Sequence, residues 1–76
     1  MNKQRRKEVK RIVTCLKTLK GDINSVIDDE QFAFDNLPEG FQCSMRGSVM
    51  EDAVSDMCDV VDRLDEAIDT LEGVII

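Results

Sequence analysis

The apolar residues recur in steps of three and four, and one proline divides them into two sets. The first set is Val9, Ile12, Leu16, Leu19, Ile23 and Val26. The second is Met50, Ala53, Met57, Val60, Leu64, Ala67, Leu71 and Val74. Both follow the heptad rhythm of helices that bury one stripe against a neighbour. Pro38 cannot sit inside an unbroken helix, and it pushes Leu37 towards extended backbone. The pattern predicts an all-α chain, a hairpin of two long antiparallel helices over about 3–34 and 48–73. A structured connector over 35–47 joins them, and 1–76 forms a single domain.

Local signals refine these limits. Gly21 interrupts the first stripe at a cost of roughly 1 kcal/mol against alanine. The heptad phase is unchanged across it, so one continuous helix is expected. Ser48 with Glu51 three residues on reads as a capping box opening the second helix, and Gly73 reads as its stop. Asn36, Gly40 and Gly47 supply turn chemistry. The connector is longer than the ~2–5 residues a helical hairpin needs, and Glu39 to Cys43 can form a short helical turn.

The stripes are wide. Positions 12/13, 26/27, 53/54, 60/61, 67/68 and 74/75 are apolar doublets. That is a three-in-seven face, suited to a bundle more than to an isolated pair. With only 76 residues, one core seldom supplies more than ~3–5 kcal/mol. A homo-oligomer is expected, most simply a dimer of hairpins forming a four-helix bundle.

Charge is segregated. Residues 1–20 carry eight bases and one acid, and residues 21–76 carry two bases and fifteen acids. In a hairpin this sets Lys3 to Arg11 beside Asp62, Asp65, Glu66, Asp69 and Glu72, so the charges fix orientation across the seam. The net charge of −6 and the lack of aromatic residues among the bases disfavour direct nucleic-acid binding. A column of Asp52, Asp56 and Asp59 could instead imitate a phosphate backbone, although a solvated helix face accounts for the same residues.

Chemistry is sparse. The chain has no His, so imidazole base, Ser-His and Cys-His pairs and His-ligated metals are excluded. Cys15, Cys43 and Cys58 form neither a disulfide framework nor a Cys-x-x-Cys pair; they read as reduced thiols. The carboxylates step along a helix and do not alternate along a calcium loop. No catalytic residue, metal or cofactor is expected. No apolar run approaches a membrane span, and the opening residues lack the apolar stretch of a signal peptide. The expected location is the cytoplasm.

The connector is the candidate binding segment. Asn36, Glu39, Gln42, Ser44 and Arg46 gather donors and acceptors on a segment between rigid helices, where function often sits. Leu37, Phe41 and Met45 would cap the open end of the bundle.

The opening Met1-Asn2-Lys3-Gln4-Arg5-Arg6-Lys7, together with the stretch Asn-Leu-Pro-Glu-x-x-Gln-x-Ser-x-Arg-Gly at 36–47, resembles a group of short proteins carried by phages and prophages of Gram-positive bacteria. The resemblance implies a viral accessory protein inside a bacterial host cell. It assigns no activity to individual residues. Three functions suit such a protein: binding and inhibiting a host defence or regulatory protein, sequestering a nucleotide signal with Arg46 and its neighbours, or a structural role in virion assembly. Acidic DNA mimicry is a fourth.

Overall fold

A computed structural model describes residues 1–76. The order is α1 (Lys3–Asp35), α2 (Glu39–Gln42) and α3 (Met45–Val74). Helices α1 and α3 lie against one another as a hairpin measuring 58 × 15 × 13 Å. The expected all-α hairpin is therefore what forms, and α1 passes through Gly21 without a break.

Each helix boundary has a local cause. Asn2 caps α1, its Oδ1 accepting from the Arg5 amide at 2.8 Å. At the other end the Asn36 amide and its Nδ2 both donate to the Phe32 carbonyl, at 3.1 and 2.7 Å. Pro38 then starts the single turn of α2, its carbonyl accepting from Phe41 at 2.8 Å and from Gln42 at 3.2 Å.

The start of α3 differs from the sequence expectation. Its cap is Ser44, not Ser48, and the Ser44 Oγ accepts from the Gly47 amide at 3.4 Å. Ser48 lies one turn inside, its amide donating to the Ser44 carbonyl at 3.0 Å. Gly47 permits the earlier start. A Cβ there would stand 2.1 Å from the Gln42 carbonyl oxygen and 2.8 Å from that of Phe41. Gly47 is needed for close backbone approach, not for a turn, and its φ is not positive. Gly73 does not stop α3, which continues to Val74.

The packing seam also departs from the simple heptad reading. It runs along Val9, Val13, Leu16, Lys20, Ile23 and Ile27 on α1, and along Met50, Val54, Met57, Val61, Leu64, Ile68 and Leu71 on α3. Val13 and Ile68 are the only buried large apolar residues, each 5% exposed. In nearly every apolar doublet the second residue faces the neighbouring helix and the first is left outside. Ile12, Val26, Val60 and Val74 are all exposed. A face three residues wide cannot be covered by one partner helix, so the seam takes one edge and leaves the other open.

Candidate functional site

The open edges of α1 and α3 lie on the same side of the hairpin. Between them runs a groove lined by Leu19, Ile23, Val26, Met57, Val60 and Leu64, with Asp22 at its rim. Leu19 and Val26 are each 52% exposed and Val60 42%. Heptad spacing extends this face to Ile12 and Val74 at one end and to Ala33 and Ala53 at the other. The opposite side is polar. There Lys17 Nζ lies 2.9 Å from Glu72 Oε1, and Lys20 pairs with Asp65. Lys17, Lys20, Asn24, Asp65, Asp69 and Glu72 line that side. The hairpin thus has one apolar and one polar broad face.

These two ion pairs correct the expected charge matching. Lys17 and Lys20, rather than Lys3 to Arg11, meet the acids of α3. With Lys10 beside Ile75, α1 runs about two turns beyond the end of α3. In that overhang Lys3, Arg5, Arg6, Lys7 and Lys10 form no ion pair. Arg11 turns back to Glu8 within α1, its Nε donating to Oε1 at 2.9 Å. This hydrogen bond, reinforced by the charge of Arg11, holds the Glu8 carboxyl below the usual carboxylate range. The overhang is also the positive end of the α1 dipole, where clustered cations are unfavourable.

The connector residues divide into two groups. Asn36, Gln42 and Ser44 bond to the connector's own backbone. Gln42 Nε2 faces three carbonyl oxygens, at 3.1 Å from Leu37, 3.3 Å from Phe34 and 3.5 Å from Asp35. The Ser44 hydroxyl donates to the Phe41 carbonyl. Glu39 and Arg46 are exposed and make no side-chain hydrogen bond or ion pair. The apolar cap is partial. Leu37 is half-buried, but Phe41 is 56% and Met45 83% exposed, because the single turn of α2 lies at the tip of the hairpin.

Asp52, Asp56 and Asp59 are exposed on α3, one or two residues from its nearest seam positions, and none is ion-paired. Cys15, Cys43 and Cys58 are exposed free thiols. No group of three His, Cys, Asp or Glu residues converges on a point that could hold a metal ion, and no helix is long and apolar enough to cross a membrane.

Sequence reasoning missed the significance of Gly47 and the division of the doublets into a covered and an open edge. The doublets were the available signal for the second. Compared with known proteins, the chain matches no family model, no curated protein and no solved structure.

Proposed function

We propose that the chain is a non-enzymatic interaction protein that works by contact with other protein chains. In the setting implied by the resemblance, it is a phage-type accessory protein in the host cytoplasm that binds and inhibits a host protein. The open apolar face carries this reading. Leu19, Val26 and Val60 sit on one side of a rigid hairpin, in a groove with a single carboxylate at its rim. Contiguous exposed apolar surface of this kind marks a contact with another macromolecule. A sponge for an anionic nucleotide would need cations around a pocket, whereas this groove offers apolar side chains and Asp22. The connector's Asn36, Gln42 and Ser44 are engaged with their own backbone, which leaves Glu39 and Arg46 free for contact.

Photo-crosslinking in the bacterial cell tests the reading. A benzoylphenylalanine is placed at Val60 on the open face or at Ser55 near Asp52, Asp56 and Asp59. The reading expects protein adducts at position 60, and a host-protein adduct at one of the two positions. Absence of a protein adduct at both positions would refute it.

A further inference from the structure

We infer that the open apolar face is covered by a second copy of this chain, docked antiparallel, so that the basic overhang of each copy lies over the acidic connector end of the other. The inference rests on the reading of the hairpin as an interaction protein and names its first partner.

Area argues for a partner of this size. A compact monomer of 8.6 kDa exposes about 4,700 Å². This chain exposes 5714 Å², about 1,000 Å² more. Two copies that each buried that excess would form an interface of about 2,000 Å², where stable homodimers begin.

Charge argues for the antiparallel orientation. The overhang end holds Lys3, Arg5, Arg6, Lys7 and Lys10 without an ion pair. The connector end holds the exposed acids Asp28, Asp29, Asp35, Glu39, Glu51 and Asp52, with Arg46 as its only base. A parallel dimer would stack the two acidic ends together and the two basic overhangs together. A two-fold axis across the middle of the face places each overhang level with the other copy's connector. Arg5 continues the column of Ile12, Leu19 and Val26 seven residues upstream, so it lies on the side that meets the second copy. Acids supplied there would also relieve the cations at the positive end of α1.

Side-chain size argues the same way. The open edge of α3 reads Ala53, Val60, Ala67, Val74. Antiparallel docking about the middle of the face sets α3 on α3, with Val60 level with the second copy's Ala67 and Ala53 level with its Val74. Bulky residues then meet small ones, as interdigitating layers require. On α1, Leu19 comes level with the second copy's Val26, and Ile12 with its Ala33. The same docking brings Met45 and Val49, 83% and 61% exposed, beside the far end of the second copy's α3, where Ile76 is fully exposed.

The test uses the full chain with Cys15, Cys43 and Cys58 changed to serine, Gln4 changed to cysteine and a spin label attached there. Mass in solution comes from light scattering, and the label-to-label distance from electron–electron resonance. An antiparallel dimer separates the labels by about 55 Å, from the rise of some 37 helical residues. A dimer with labels within about 25 Å has its overhangs together and overturns the proposed orientation. A monomer at tens of micromolar overturns the second copy as partner. In that event a host-protein adduct at position 60 or 55 would leave the interaction reading intact, whereas its absence at both would remove both. A paired substitution, Leu19→Lys with Val60→Lys, is expected to weaken the dimer about 100-fold or more by placing charge at the centre of the interface. Unchanged dimerisation would overturn the assigned face. If this variant does not fold, the label distance alone decides.

Discussion

Alanine substitution at two glycines should change stability in opposite directions. Gly21 and Gly47 both lie within helices, so helix propensity alone favours Ala at each by up to about 1 kcal/mol. Around Gly21 a Cβ meets nothing within 4 Å, so Gly21→Ala should realise that gain. At Gly47 the new Cβ would stand 2.1 Å from the Gln42 oxygen and 2.7 Å from the Gln42 carbonyl carbon, where real Cβ atoms keep at least 3.0 Å. The obstacle is backbone, and it is held by the Pro38 carbonyl and by the side chain of Gln42 itself. Relief requires α3 to move away from α2 by about an ångström, at an overpacking cost of about 1–3 kcal/mol. After the propensity gain, Gly47→Ala should lose about 1–2 kcal/mol, and the two variants should differ by about 2–3 kcal/mol. Urea unfolding followed by circular dichroism at 222 nm measures both. Protein concentration must be held fixed, because self-association adds to apparent stability. If Gly47→Ala is as stable as Gly21→Ala, the close approach of α3 to α2 is not what fixes the start of α3.

Three further outcomes are expected. Gln42→Ala should cost about 1 kcal/mol, since its amide serves carbonyls at the end of α1 and in the connector, and the loss should appear in the same urea experiment. Ile68→Ala should cost about 2–4 kcal/mol, because Ile68 is one of two large apolar residues buried within the hairpin; a loss below about 1 kcal/mol would contradict the assigned seam. Glu8 should titrate below the ordinary glutamate range, because Arg11 binds its charged form. The pair therefore favours the folded state above the unfolded glutamate pKa, and that contribution disappears as pH falls through the lowered value. Carboxyl-carbon NMR reads the midpoint, which Arg11→Ala should return to the ordinary range.

Much of the fold was legible from spacing. Steps of three and four with Pro38 between them determine two helices and a reversal, and α2 falls within the expected 39–43 turn. The start of α3 was not legible, because Ser48 with Glu51 offers the fuller capping signal, whereas Ser44 is the cap that forms. The choice depends on whether the helix can approach the Gln42 carbonyl, a tertiary fact that only the missing Cβ of Gly47 encodes. The seam was half legible. Doublets such as 12/13 and 67/68 announce a broad face, but heptad counting assigns either residue to the interior. The structure chooses Val13 and Ile68, and this choice places the Lys20–Asp65 pair on the polar side. Charge segregation correctly implied ion pairs between the helices, yet not which lysines make them. The α1 overhang shifts the match to Lys17 and Lys20. In the candidate connector, residue type alone could not separate Asn36, Gln42 and Ser44, bound to nearby carbonyls, from Glu39 and Arg46, which are free.

The open edge formed by the first residues of the doublets is, in this reading, covered by a second copy of the chain. Sedimentation equilibrium of the purified protein over a hundredfold range of concentration tests it most directly. The expected mass is twice that of the 8.6 kDa chain, falling towards one chain only on dilution and doing so earlier in the Leu19→Lys, Val60→Lys variant. A single-chain mass throughout, with a cooperative melt independent of concentration, would contradict it: the hairpin would then be stable with this face in water.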